Sequence, residues 1–446
     1  MKLLRNVSPT RIIALSFAVV IVIGTILLAL PIATNKGQET TILEALFTSI
    51  SATCVIGMSP FDTYTHWSMF GQIVILILFQ MGGLGIMSFM SMFSVFLHKK
   101  IGLQERILLV QTSGNIRLNG VIKLLKNIFI GTFIFEAIGA IILAFAFYEE
   151  MGLKKSIYYG IFHSVSAFCN AGFDLMGFRE PFSSVSYYET NPLVCFTLMA
   201  LIVLGGLGFF VWSDILKNKF KIHKYSLHSK IILYSALILI LVGWFFYYIF
   251  EMNGELYNLT YPEKIMSSLF LSVSTRTAGF NAIDLNSLSE SGLLLTMCLM
   301  FIGSGVGSTS GGIKTTTIAI LLATVITFAK GKKDVIIFKR RIENDTIRHA
   351  ASILIVYMIA VLISTAAICF TDGIQLQDAL FETVSAVSTV GYSRIGIQNM
   401  SVFAQIIMMV LMYGGRIGFM SLLMVFWEKE KGDAPIEYPT EEIMIG

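Results

Sequence analysis

The sequence predicts an all-α integral membrane fold of four pore-loop repeats. Each repeat comprises an outer helix, a short pore helix, a filter loop and an inner helix, giving fourfold pseudo-symmetry and eight spanning helices. Three observations predict it. Of 446 residues, 55% are hydrophobic and only 13% charged, with a mean hydropathy of +0.76; a soluble globular chain carries about 25% charged residues. Eight apolar stretches reach the length of a spanning helix, at 12–33, 67–97, 128–148, 192–212, 231–250, 293–328, 351–370 and 403–426. The third observation is one short motif that occurs four times.

The motif is small–hydrophobic–Phe–x–Ser/Thr–Ile/Val–Ser, followed by a glycine nine or ten residues after the Phe. It runs from Ala45 through Phe47 and Ser51 to Gly57, and from Gly160 through Phe162 and Ser166 to Gly172. The third copy runs from Ser268 through Phe270 and Ser274 to Gly279, the fourth from Ala379 through Phe381 and Ser385 to Gly391. The glycines lie 115, 107 and 112 residues apart. The fourth copy closes on Thr389-Val390-Gly391-Tyr392, the pattern in which potassium-selective filters are written. There, backbone carbonyls replace the hydration shell of the ion. Glycine is needed because such a loop takes backbone angles that a Cβ penalises. The residues before the glycines are Val55 and Ile56, Asn170 and Ala171, Thr277 and Ala278, Thr389 and Val390. Side chains this varied imply that backbone carbonyls face the ion, so these eight residues and the four glycines are the candidate potassium ligands. Read blandly, the same glycines would only relieve helix packing; their common place after a Ser-rich segment in all four copies argues against that.

The elements follow in order. Repeat 1 (1–98) reads as outer helix 11–33, pore helix 41–53, loop 54–60 and inner helix 66–98. Repeat 2 (99–220) reads as 121–150, 155–168, 169–178 and 192–216. Repeat 3 (221–330) reads as 227–252, 262–275, 276–284 and 290–328. Repeat 4 (331–427) reads as 347–371, 376–388, 389–395 and 402–427, with a tail at 428–446. The pore helices are too short to cross, so each enters and leaves by one face. Two crossings per repeat put all linkers on one side. Their Lys99, Lys100, Arg106, Lys217, Lys219, Lys221, Lys332, Lys333, Arg340 and Arg341, with Lys2, Arg5, Lys429 and Lys431 at the ends, mark that side and both termini as cytoplasmic. The loops then open outward, where Asp174, Glu180, Asp284 and other acids bias the face toward cation attraction. The first apolar run is long enough to be a retained helix. Basic residues are segmental, which excludes a nucleic-acid surface, and the five cysteines form no C-x-x-C pair, which excludes a zinc site.

The third inner helix carries Gly303, Ser304, Gly305, Gly307, Ser308, Thr309, Ser310, Gly311, Gly312 and Lys314. The stretch resembles a phosphate loop, but Ile313 separates Gly312 from Lys314 and no strand precedes it. So many Gly and Ser residues break a helix in mid-membrane, and a loop there, below the filter, reads as a gate. Arg416 lies within the fourth inner helix, in Gly414-Gly415-Arg416-Ile417-Gly418, where a charge faces a cavity or a partner. It completes the candidate gate. Arg276 and Glu382 read as braces of their loops, and Glu136 is a lone acid in an outer helix.

These residues resemble the superfamily of Trk, Ktr and plant HKT potassium transporters over nearly the whole chain, and most of all the membrane subunit of bacterial Ktr systems. The resemblance implies a gated, channel-like potassium pathway in the bacterial cell membrane and a homodimer with one pore per subunit. It also implies a cytosolic octameric RCK ring that binds ATP or ADP, nucleotides held on that partner and not on this chain. Sodium is implied as an activator. The basic linkers and the tail from Glu428 to Gly446 are read either as a dock for a ring protein or as a contact with anionic membrane lipid. In sodium-favouring plant relatives serine replaces the first filter glycine, so Gly57 favours potassium. The third loop is one residue shorter from Phe270 to Gly279, which leaves the register of Thr277 and Ala278 open. The rival readings are a strictly coupled sodium- or proton-potassium symporter and a membrane enzyme. The enzyme is excluded because the six histidines form no cluster and no paired catalytic groups are evident.

Overall fold

The computed structural model describes residues 9–86, 88–89, 121–219, 221–427 and 441. The expected end of the first inner helix, the basic residues of the first linker up to Arg106, the N-terminal Lys2 and Arg5, and Lys429 and Lys431 lie outside them. The helices are α1 (Pro9–Leu28), α2 (Ile42–Cys54), α3 (Thr63–His66), α4 (Met69–Leu84), α5 (Val121–Cys169), α6 (Pro192–Leu207), α7 (Phe209–Asn218) and α8 (Leu227–Glu251). They continue as α9 (Tyr261–Ser274), α10 (Glu290–Phe301), α11 (Thr315–Ala329), α12 (Asn344–Asp372), α13 (Leu376–Ser388), α14 (Val402–Ile417) and α15 (Phe419–Trp427). Within α5 the backbone leaves helical geometry at Gly152 (φ 70°, ψ 168°), which divides an outer part from a pore-helix part. A hairpin of Ile336–Ile337 with Arg340–Arg341 occupies the last basic linker; its turn residues Phe338 and Lys339 have positive φ, and no turn signal in the sequence announced it.

Among the described residues four helices are long and apolar enough to cross a membrane: 10–28, 125–169, 227–251 and 344–372. The inner helices are not the uninterrupted spans that the apolar runs predict. α4, α6 and α14 end at Gly85, Gly208 and Gly418, each with a positive φ. α6 and α7 meet at 93°. The third inner helix stops at Phe301 and resumes at Thr315. Hydropathy averages over such breaks because glycine is itself compatible with an apolar run, so the sum of two short helices reads as one.

The motif positions explain why the short helices sit where they do. Phe47, Phe162, Phe270 and Phe381 are all buried in the core. Two residues on, a hydroxyl ties the pore helix to its outer helix. Ser49 donates to the Ile21 carbonyl at 2.7 Å, Ser164 to Glu136 at 2.7 Å and Ser272 to Ile240 at 2.8 Å. In the fourth copy Thr383 pairs with the Thr365 hydroxyl at 2.7 Å. Three residues beyond the accepting carbonyl the outer helix carries Gly24, Gly139 and Gly243, where a Cβ would lie 2.4, 2.6 and 2.3 Å from the serine oxygen. Thr365 stands at the corresponding place in the fourth copy and supplies its own hydroxyl instead.

Gly243→Leu should therefore destabilise by about 1–3 kcal/mol or more, as overpacking does. Ser272→Ala should cost only about 0.6 kcal/mol, the size of a typical hydrogen bond inside a membrane. Thermal unfolding in detergent compares the two; equal shifts would mean the close helix approach is not what holds α9.

Candidate functional site

Each pore helix ends in the same way. The residues in left-handed backbone geometry include Val55 (φ 61°), Asn170 (φ 58°), Thr277 (φ 82°) and Thr389 (φ 55°), each two before its glycine. In loops 1, 2 and 4 the residue before the glycine donates its N–H back five positions: Ile56 to Ser51, Ala171 to Ser166 and Val390 to Ser385. This is the 6→1 bond of a Schellman ending. In loop 3 Ala278 reaches the Ser274 carbonyl over four positions. The turn is one residue tighter, which absorbs the missing residue and leaves Thr277 and Ala278 in the places of their counterparts. A β-branched residue in this region is an outlier, and strain of this kind persists only where surrounding structure over-determines it.

The four loops meet in cyclic order. A Cβ on Gly57 would lie 2.5 Å from the Ala171 oxygen, and one on Gly172 2.8 Å from Ala278. A Cβ on Gly279 would lie 2.3 Å from the Val390 oxygen, and one on Gly391 1.9 Å from Ile56. The ring thus closes through the carbonyls of Ile56, Ala171, Ala278 and Val390. Tyr392 braces it by donating to the Phe280 carbonyl at 3.1 Å. Glu382 accepts from the Ser393 hydroxyl and the N–H groups of Arg394 and Ile395, holding loop 4. Arg276 is buried beside loop 3, its guanidinium 3.5 Å from the Ala236 carbonyl. Glu136 receives both contacts from the Gln80 amide, at 3.0 and 3.1 Å.

On one side all four glycines line a polar cavity of about 540 Å³, together with Asp62, Asp174, Glu180 and Asp284. Arg394, also in its wall, is paired with Asp378. Asp62 escaped the sequence reading; it caps α3, accepting from Tyr64 and Thr65 N–H, and also accepts from Phe182 N–H. Burial first, then the neighbouring Asp62, pushes the Asp174 carboxyl up to about 7 against bonds from Met176 and Ser184.

On the other side, residues 303–314 fold back under the ring. Gly303 N–H donates to Ile313, Gly305 to Gly206, Thr309 to Gly205 and Gly312 to Gly415. Phe209 N–H donates to Gly307. Ser304 pairs with the Thr277 hydroxyl at 3.1 Å and Gly311 N–H donates to the Thr389 hydroxyl at 2.9 Å. Ser308 and Ser310 pair at 2.9 Å, and Lys314 Nζ donates to the Ser310 and Gly311 carbonyls. Arg416 donates to the carbonyls of Thr309 in this loop and of Gly82 in α4. The structure therefore gathers every residue of both predicted sets into two adjacent layers.

Fold and site together define a membrane protein with several apolar helices, organised around a ring of four closely approaching backbone loops. The model of a family described as TrkH, cation transport protein, matches residues 4–434. The chain belongs to that family, whose members are transporters of cations rather than enzymes. It is 38% identical to a potassium/sodium uptake protein, NtpJ, of Enterococcus hirae over 99% of this chain and 98% of that one. It is 36% identical to Ktr system potassium uptake protein B of Bacillus subtilis, covering 98% of this chain and 97% of that one. The solved potassium transporter TrkH of Vibrio parahaemolyticus has the same fold, with a TM-score of 0.76 and 15% identity over 95% of this chain and 86% of that one.

Alanine at the four glycines should reduce cation flux in the order of the clashes, with Gly391→Ala near zero and Gly172→Ala retaining the most; uniform losses would mean that loop approach does not set the effect. The Asp174 carboxyl holds its proton more tightly when folded than its ordinary 3.8, so it supports folding most below that value and progressively less as pH rises to about 7. The negative charge it places in the cavity wall appears around pH 7, where the folded carboxyl titrates. Cation flux into liposomes should rise between about pH 6 and 8 in wild type, and that rise should be absent from Asp174→Asn.

Proposed function

We propose that this chain is the membrane subunit of a Ktr-type potassium uptake system, conducting potassium down its electrochemical gradient through a gated, channel-like pore. The observation that carries the reading is the closed ring in which each loop's glycine makes room for the next loop's carbonyl. Carbonyls held in this way replace an ion's hydration shell. In this reading the filter is formed by Val55, Ile56, Gly57 and the matching triplets ending at Gly172, Gly279 and Gly391. The acidic cavity is the outer vestibule and concentrates cations.

The four outer helices and the four interrupted inner helices are then eight spans, in repeats 1–98, 99–220, 221–330 and 331–427 around a fourfold pseudo-axis. Both termini and the basic linkers face the cytoplasm. The loop 303–314 is the gate, and Arg416 is its latch, since its two donations tie that loop to α4. The names of the relatives support potassium as the ion and a multi-component system. A homodimer, a cytosolic RCK ring binding ATP or ADP, sodium activation and the bacterial plasma membrane belong to the same proposal.

The test is cation flux into liposomes for wild type and Gly391→Ser, comparing potassium with sodium. Potassium-selective flux in wild type, lost or relaxed in the variant, supports the filter. Equal flux of both ions, indifferent to the substitution, overturns it. A reversal potential that follows a fixed stoichiometry of sodium or protons would replace the channel-like pore with a coupled symporter.

A further inference from the structure

A second cavity among the described residues lies away from the ring of loops. It has a volume of about 700 Å³ and opens between the first turns of α5 and the helix α7. Its walls are mostly apolar: Phe135 and Trp212 pack edge to face with ring centroids 4.4 Å apart and form one wall, and Phe168 also lines it. Gly131 forms part of the wall, and a Cβ there would meet nothing within 4 Å among the described residues. The Thr132 hydroxyl in the same wall is buried and has no hydrogen-bond partner among the described residues. Ile130, Ile134 and Leu216 at the rim are exposed by 48%, 50% and 66%, so the cleft opens sideways, toward the bilayer of a membrane protein.

One end of the cleft is cationic. Lys217 lines it and is exposed, and Lys126, exposed on α5, adjoins the lining residue Asn127. The nearby Asp214 carboxylate is occupied by the Ser226 N–H and by the hydroxyls of Ser226 and Ser229. α7 itself turns 93° from α6, so it lies across the direction of the spanning helices. A short helix with Trp and Phe on one side and Lys at its end is the composition of a helix seated at the lipid headgroup boundary. Anionic headgroups attract basic residues at that depth.

The cleft also touches the gate loop. Gly208, at the bend, has no room for a Cβ, which would lie 2.7 Å from the Val306 oxygen. Phe209, the first residue of α7 and a wall of the cleft, donates its N–H to Gly307 at 2.9 Å. Phe168 accepts from the Thr309 hydroxyl at 3.1 Å through its carbonyl. Two walls of the cavity are therefore bonded directly to the loop 303–314.

We propose that this cleft binds one anionic phospholipid, with an acyl chain along Gly131, Phe135 and Trp212 and the phosphate at Lys217, and that its occupancy braces the bend on which the gate loop rests. The binding part rests on the membrane reading alone, whereas the effect on flux rests also on the proposed pore.

The test is native mass spectrometry of the purified, delipidated chain titrated with phosphatidylglycerol or phosphatidylcholine of matched acyl chains. Wild type should retain one phosphatidylglycerol per chain at concentrations about tenfold below those needed for phosphatidylcholine. Gly131→Phe should lose the adduct, Gly131→Ala should keep it, and Lys217→Gln should bring the two lipids to equal binding. Melting in detergent confirms that each variant is folded. Ion flux in phosphatidylcholine liposomes should rise severalfold when phosphatidylglycerol is added, for wild type and not for Gly131→Phe. Equal retention of both lipids by wild type, or an adduct that survives in folded Gly131→Phe, would overturn the proposal. So would a delipidated wild type that takes up neither lipid, as expected if another segment of the chain fills the cleft. The mass readout does not depend on which ion the protein conducts, so it separates failure of this proposal from failure of the pore reading.

Discussion

The structure depends on four stretches of backbone approaching one another more closely than a side chain permits. At Gly391 the Ile56 carbonyl oxygen sits 1.9 Å from where a Cβ would be, and the same relation passes from loop to loop until the ring closes. Carbonyl dipoles crowded in this way repel one another, and non-helical backbone at membrane depth is tolerated only when buried in protein or lining water. Everything around the ring supplies either the attachment that holds it or the solvent access that satisfies it. The acidic cavity on one face supplies the access.

The attachment uses a single device repeated with small variations. The pore helix is tied outward by a hydroxyl to its outer helix and pressed inward against an inner helix. On that inward side, a Cβ at Gly82, Gly205 or Gly415 would fall 2.0, 1.9 or 2.1 Å from the carbonyls of Thr53, Phe168 and Val387. Small residues at helix contacts are how membrane proteins gain close packing without a hydrophobic driving force. The third inner helix cannot make this contact as a helix, because its backbone leaves at Phe301 and forms the loop beneath the ring. That loop takes its hydrogen bonds from the ends of the other elements: Gly205 and Gly206 in α6, Gly415 in α14, and Thr389 in loop 4.

This arrangement explains why a charge is placed at Arg416. A guanidinium offers five donors in a fixed fork, and here two carbonyls from separate elements, Thr309 and Gly82, share it. Lys314 adds a second cation whose donors go to the Ser310 and Gly311 carbonyls within the loop. Both groups donate to backbone oxygens at or beside the breaks in the inner helices, so the charges tie the loop to the helix ends around it.

Much of this was legible in the residues. The membrane class followed from composition, and the repeat followed from one motif, because each of its positions has a local and recurring physical task. The Phe is buried, the first hydroxyl staples, and the glycine admits a neighbouring carbonyl. The Gly/Ser run at 303–314 was legible as a break because no helix accommodates it cheaply. What the sequence could not decide depended on contacts between distant segments. The breaks at Gly85, Gly208 and Gly418 are hidden because glycine inside an apolar run is compatible with either a continuous or an interrupted helix. The tighter turn at Thr277 could be chosen only by the demand that Ala278 meet the ring. Asp62, ordinary in its own stretch, became part of the cavity wall only when Phe182, 120 residues away, was folded against it. The sequence by itself determined the membrane class of the chain and which backbone positions must lack a side chain, since those are local costs. Tertiary structure alone decided which carbonyl each glycine faces and which helices turn, since those are set by the closure of the ring.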